Sequence, residues 1–175
     1  ELRMVWTRNL ATGTGEITPL AYNGVLYVPQ GSDVIQAVDA VTGDLIWEYS
    51  RSLPEDLYEM VGGNARNNRN LAIFENLIIN TSDDNFVFAL DAETGQLLWL
   101  WRPQEGERFD AAPRKGSGKS LSYWSDGVRE AIFTVTPGYY LVALNAHTGL
   151  PVEDFGAGGW VDLQQGLRLG PGRED

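Results

Sequence analysis

The chain contains no cysteine, so neither a disulfide framework nor a thiolate metal site is open to it. That absence leaves the compartment undecided, because disulfides are optional even outside the cell. There is one histidine, His147, and no Ser, His and Asp constellation can be argued around it. Long apolar runs are missing as well, since none approaches the roughly 18 residues that a membrane span needs. Basic residues are scarce: 13 against 24 acidic ones in 175 positions give a formal charge of −11. This balance opposes phosphate backbones and removes nucleic acid from the expected partners. No basic-then-apolar leader precedes the first apolar stretch, and position 1 is Glu rather than Met, which sets the expectation of a piece of a longer chain.

What is present in quantity is glycine, at 20 residues, and tryptophan, at 6. A chain of this kind is tested first for internal repeats. Residues 25–47 read VLYVPQGSDVIQAVDAVTGDLIW, residues 77–99 read LIINTSDDNFVFALDAETGQLLW, and residues 131–153 read AIFTVTPGYYLVALNAHTGLPVE. The units are offset by 52 and then 54 residues, and four columns are identical in all three. Those columns hold Ala37, Ala89 and Ala143; Ala40, Ala92 and Ala146; Thr42, Thr94 and Thr148; and Gly43, Gly95 and Gly149. The column before the second alanine holds Asp39, Asp91 and Asn145, and the last holds Trp47, Trp99 and, out of pattern, Glu153.

Each unit reads as antiparallel strands. β-Branched and aromatic runs are bounded by Pro, Gly, Ser and Asp. The Asp-Ala-x-Thr-Gly stretch predicts a type I turn with its glycine in the left-handed region, where a Cβ would be strained. A further strand is expected upstream, at residues 17–22, 70–74 and 120–124, making four per unit. Residues 86–90 (FVFAL) and 140–144 (YLVAL) are apolar on both faces, so both faces must be covered. Sheets of about 50 residues covered by their own kind are the blades of a β-propeller. A two-sheet sandwich is the competing architecture, but sandwiches do not repeat at this period. The expectation is an all-β chain of about three four-stranded antiparallel blades, near 16–50, 66–102 and 117–156. With three blades the ring is incomplete, and residues 156–175 read as an excursion between blades.

The element AVDAVTGDLIW, repeated as ALDAETGQLLW, resembles the tryptophan-docking motif of the quinoprotein dehydrogenases, eight-bladed propellers that use pyrroloquinoline quinone (PQQ). LPEDL, NNRNLAIF and SLSYWSDG extend the resemblance over nearly the whole chain. It implies that the tryptophan is architectural, clasping the neighbouring blade, and that the blade ending at Glu153 is held in some other way. It also implies three cofactor contacts. Glu16 matches a glutamate near a PQQ carboxylate, against the plainer reading of a surface acid after a Gly-rich turn. Arg69 matches the arginine of an Asn-Arg-Gly-x-Ala segment; a guanidinium fork suits a tricarboxylate, although Asn70 stands where the family has glycine. Lys119 stands where many relatives have arginine, which loses the bidentate geometry. The plainer reading of Arg69 is a solvated strand-end charge.

No catalytic or metal-binding residue is expected in this chain. The resemblance places the aspartate base and the ligands of a calcium or lanthanide ion on later blades. It further implies an alcohol or sugar substrate, a cytochrome or quinone electron acceptor, the remaining blades of the same propeller as partners, and a periplasmic location, possibly membrane-associated. Gly62-Gly63-Asn64 stands where some alcohol-oxidising relatives carry adjacent cysteines, which separates the chain from that subtype. The alternative from another class is a non-enzymatic propeller serving as a protein-binding scaffold. Two further patterns are set aside. GSGKS at residues 116–120 lacks the first glycine, strand and helix of a phosphate loop, and Asp83-Asp84-Asn85 lacks calcium-loop spacing and reads as a hairpin loop.

Overall fold

A computed structural model of the chain describes residues 2–10, 17–61, 71–116 and 120–166. Twelve strands form three separate four-stranded antiparallel sheets among these residues. Sheet one holds β1 (Leu20–Tyr22), β2 (Val25–Gln30), β3 (Val34–Asp39) and β4 (Leu45–Tyr49). Sheet two holds β5 (Leu71–Phe74), β6 (Leu77–Thr81), β7 (Val87–Asp91) and β8 (Leu97–Trp101). Sheet three holds β9 (Leu121–Ser125), β10 (Glu130–Val135), β11 (Tyr140–Asn145) and β12 (Trp160–Asp162). Within each sheet the strands follow sequence order. Two short helices, α1 (Leu57–Val61) and α2 (Glu107–Asp110), lie in the connections between sheets.

The doubly apolar strands are explained by the way the sheets stack. Along β7, Phe88 and Leu90 pack with Tyr27, Ile35 and Trp47 of sheet one. Val87 and Ala89, one residue out of phase, pack with Ile132, Val142 and Leu144 of sheet three. Side chains alternate across a strand, so a sheet sandwiched between two others needs apolar residues at every position. The first strands β5 and β9 lie side by side across the joint between sheets two and three, and Phe74 stacks on Tyr123 at 4.1 Å between ring centres. Sheets two and three are therefore joined at their first strands, as propeller blades are.

The four identical columns all belong to one device. Ala37 and Ala89 lie opposite Trp47 and Trp99 in the strand register, leaving room for the indole on that face. A bulge beside each alanine shifts the register, and such a bulge re-aims a side chain. Trp47 Nε1 donates to the Ala92 carbonyl at 2.9 Å, and Trp99 Nε1 donates to the Ala146 carbonyl at 3.0 Å. Each indole lies flat on the next turn's glycine: a Cβ on Gly95 would meet Trp47 Cδ2 at 2.7 Å. The glycines are also at φ +77, +72 and +69 for Gly43, Gly95 and Gly149, so both conformation and contact require them. The threonine hydroxyls close the turns by accepting from the amides of Asp44, Gln96 and Leu150.

In the first two turns a carboxylate holds the loop. Asp39 Oδ1 accepts from the amides of Val41 and Thr42, each at 2.8 Å, and Asp91 Oδ1 accepts from Glu93, Thr94 and the Thr94 hydroxyl. The amides of Thr42 and Val41 hold Asp39 below the usual 3.8, and the Thr94 hydroxyl leads the same effect at Asp91. On β9–β10, Asp126 is lowered to about 2 by the amides of Arg129 and Val128 and by the Arg129 side chain. A carboxyl whose folded pKa is depressed contributes stability above its unfolded value and loses it as pH falls through the folded one. Thermal melting is therefore expected to weaken as pH drops from about 4 towards 2. The Asp39→Asn, Asp91→Asn double variant should lose less over that interval; an unchanged acid slope would contradict this. Asn145 already does the same work in the third turn through Oδ1.

Sheet three departs from the expected pattern. After the turn, Pro151 bridges Leu144, and the chain then makes a compact detour before pairing resumes as β12. The fourth strand thus falls inside the stretch read from sequence as an excursion between blades. Gly156, Gly158 and Gly159, all at positive φ, make the detour possible, and Gly159 donates to Phe155 O while accepting from Ala143 N. Trp160 packs edge-on to Tyr140 at 5.4 Å and against Trp101 at 5.7 Å, so it faces back towards sheet two. Glu153 therefore marks a blade edge held differently from the first two, as its departure from the tryptophan pattern implies.

Candidate functional site

Strand alternation fixes which loops share an end of the sheets. The docking turns lie at one end. The β2–β3, β6–β7 and β10–β11 turns lie at the other, together with the long connections that enter β5 and β9. Glu16, Arg69 and Lys119 fall outside the described residues. In sequence each comes shortly before the first strand of a sheet, so all three belong to connections entering the inner strands.

The described part of this end carries an interlocked set of buried charges. Asp33, Ser82, Asp83 and Asp84 are at most 3 % exposed. Ser82 Oγ reaches Asp33 Oδ2 at 2.5 Å and also Asp84 Oδ1, so one hydroxyl hydrogen is shared between two carboxylates. The Asp83 amide donates to Asp33. Arg51, leaving sheet one, sets Nη2 at 2.5 Å from Asp84 Oδ2 and its guanidinium 4.6 Å from the centre of the Phe86 ring. Residues from the connection after β4 and from the two hairpin loops are thereby bound across the joint between sheets one and two. Asp33 and Ser32 sit at φ +56 and +62, a strained geometry that this network holds in place.

A second set binds the next joint. Glu105 Oε1 accepts from the Gly138 amide at 2.8 Å and from the Thr136 hydroxyl. Arg108 on α2 makes a two-pronged pair with Asp162, at 2.8 and 3.0 Å. It also donates to Gly138 O and lies 4.2 Å from the centre of the Tyr140 ring. The hydrogen bond from Arg108 holds the Asp162 carboxyl below its usual range. Between the two networks opens a cleft of about 280 Å³, lined by Asn85, Arg102, Gln104, Glu105, Phe109 and Asp110 among others.

Among the described residues no three His, Asp or Glu side chains converge to hold a metal ion. His147 lies in the third docking turn, at the opposite end, beside Glu130. Arg51 and Arg108 are committed to Asp84 and Asp162. Asp33, Asp83 and Asp84 were missed as a buried cluster by the sequence reading, which took the last two for an ordinary hairpin loop. Asp33 is offset from them by about one repeat, and no shared column marks the three.

Comparison with known proteins is consistent with this geometry. Residues 59–174 match the family described as glucose/ethanol/alcohol dehydrogenase, beta-propeller domain. The dehydrogenase subunit of a quinone alcohol dehydrogenase from Gluconacetobacter polyoxogenes is 34% identical over 130 residues, covering 69% of this chain and 18% of that protein. The crystal structure of a quinohemoprotein alcohol dehydrogenase from Comamonas testosteroni superposes with a TM-score of 0.55 at 24% identity, over 78% of this chain and 20% of that one. BamB from Moraxella catarrhalis shares the fold, with a TM-score of 0.53 at 19% identity over 80% of this chain and 35% of that one. The chain spans about a fifth of the length of the dehydrogenases that it matches.

Proposed function

Because the chain belongs to the PQQ-dependent glucose/ethanol/alcohol dehydrogenase β-propeller family, we propose that it forms the N-terminal blades of a dehydrogenase that oxidises an alcohol or sugar. Bound PQQ would supply the hydride acceptor for the carbinol carbon, and a base on later blades would take the hydroxyl proton. This chain's own part is to build one side of the cofactor pocket. Arg69 would pair with a carboxylate of the tricarboxylate, Lys119 would add a second positive charge, and Glu16 would orient the surrounding hydrogen bonds. The ion pairs Arg51–Asp84, with its buried carboxylate, and Arg108–Asp162, partly exposed, would hold the connections bearing these residues in register with the inner strands.

The observation that carries this reading is the family match running through residues 59–174, which includes Arg69 and Lys119. A calcium or lanthanide ion with ligands outside this chain, a cytochrome or quinone acceptor and a periplasmic location belong to the same proposal. The full-length protein, given PQQ and metal, is expected to reduce an artificial dye with an alcohol or sugar. Arg69→Ala should weaken PQQ binding at least about tenfold in an absorbance titration, the loss of one charge-assisted pair. Unchanged affinity would remove Arg69 from the pocket. Absence of any PQQ binding by the full-length protein would instead favour the scaffold reading.

A further inference from the structure

The cleft between the two networks is lined by groups with unused hydrogen-bonding capacity. Asn85 Nδ2 and Glu105 Oε2 are closed to bulk water, and neither has a hydrogen-bond partner among the described residues. Buried polar atoms left unmatched in this way are uncommon and call for a group that completes them. Arg102, on the same lining, is a third case. Arg51, Arg108 and Arg129 each pair with a carboxylate. Arg102 is half-buried, lies 5.4 Å from the centre of the Phe86 ring and pairs with no carboxylate among the described residues. In a chain with 24 acidic residues against 13 basic ones, that is the exception.

The cleft is held in shape by contacts that leave these groups aside. Glu105 uses only Oε1 on the Gly138 amide and the Thr136 hydroxyl. Arg108, forked onto Asp162, pins α2 and with it the adjacent Phe109 and Asp110. The Asn85 amide donates to Ser82 O at 3.1 Å, which fixes its loop. A pocket formed in advance loses little freedom when a ligand enters. It also stands apart from the proposed cofactor contacts. Arg102 to Asp110 follow β8, the fourth strand of sheet two, whereas Arg69 and Lys119 come before first strands in the sequence; first and fourth strands lie about 14 Å apart at the usual spacing.

The lining mixes donors with acceptors: Asn85, Arg102 and Gln104 donate, and Glu105 and Asp110 accept. Two carboxylates against one guanidinium leave it with a net negative charge, which disfavours an anion, and a hydrocarbon would leave its polar atoms unmatched. A hydroxyl group donates and accepts at once. We propose that this cleft binds a neutral polyhydroxylated molecule of monosaccharide size. Its hydroxyls donate to Glu105 and Asp110 and accept from Asn85, Arg102 and Gln104, while its C–H surface lies against Phe109. Small side-chain turns, common on binding, bring Asn85 Nδ2 and Glu105 Oε2 onto the ligand. The volume of about 280 Å³ falls just under the range of drug-sized pockets, about 300–1,000 Å³, and suits a single sugar ring. The site is a non-reacting one and does not depend on the proposed function.

The test titrates the full-length protein, freed of PQQ, with D-glucose, glycine and succinate in turn by calorimetry. Glucose is expected to bind with a dissociation constant on the order of millimolar and to slow hydrogen exchange in residues 102–110. Arg102→Met and Asn85→Gly should each weaken glucose binding about tenfold or more, with thermal melting unchanged. Tighter binding of glycine would assign the cleft to a zwitterion and tighter binding of succinate to an anion, and either result overturns the proposal. So does the absence of glucose binding, or glucose binding that neither variant weakens. Should both variants fail to fold, exchange in residues 102–110 decides alone: slowed by glucose it supports the site, and unchanged it overturns it. PQQ titration of the same protein separates the two readings. PQQ binding with no effect of glucose at residues 102–110 sinks only this inference, and a glucose-filled cleft without PQQ binding sinks only the proposed function.

Discussion

Trp99→Ala is expected to cost about 3–5 kcal/mol of stability, the range for removing a large buried aromatic side chain. The indole is 8% exposed and is part of the core between sheets two and three. Its removal leaves a slot over Gly149, which has no side chain of its own to fill it. It also leaves the Ala146 carbonyl without its donor, an unmade buried hydrogen bond that adds about 1–3 kcal/mol to such losses. Trp99→Phe separates the two contributions: it keeps most of the apolar contact and should cost distinctly less. Urea unfolding of the full-length protein measures both, and a loss under about 1 kcal/mol for the alanine variant would show that the clasp is not structural.

Arg51→Ala should be comparably damaging for a different reason. Asp84, with 4% of its side chain exposed, would lose the guanidinium at 2.5 Å. Breaking one partner out of a buried pair costs about 3–5 kcal/mol, much of it the uncompensated charge. The diagnostic comparison is Arg51→Met with Asp84→Leu together, which removes both charges and should recover most of the loss. A double variant as unstable as the single one would mean that Asp33 and Ser82 depend on Asp84 for more than charge balance. Because this network ties the connection after β4 to both hairpin loops, the single variant should also raise hydrogen exchange in residues 82–86.

The repeat made the blades legible before any coordinates. Four identical columns in three copies encode one physical object, the turn, its bed and its indole, and the glycine column in particular is required by both its φ and the indole resting on it. The doubly apolar strands were equally plain, because burial on both faces leaves no polar phase. Trp6, whose indole rests on Gly43 as Trp47 does on Gly95, escaped the sequence reading since it stands alone, ahead of the first unit and without the Thr-Gly that marks the others; aligning backwards from the tryptophan, rather than forwards from the turn, would have found it. β12 was hidden by its detour, whose glycines read as loop. Asp33, Asp83 and Asp84 carry no periodic signal because a buried polar network is defined by its partners across a joint, which sequence order does not record.

The direction of the clasp has a consequence for self-association. Trp47 and Trp99 each reach forward to a glycine on the next sheet, a head-to-tail contact that could in principle propagate from molecule to molecule into open fibres. In this chain both terminals of that series are blunted. The leading bed, Gly43, is already filled by Trp6, and the trailing sheet sends Trp160 backwards onto Trp101 instead of forwards. Such blunted ends are what capping units do in linear repeat arrays, so the three blades carry their own barrier against stacking through this contact while the ring is being assembled.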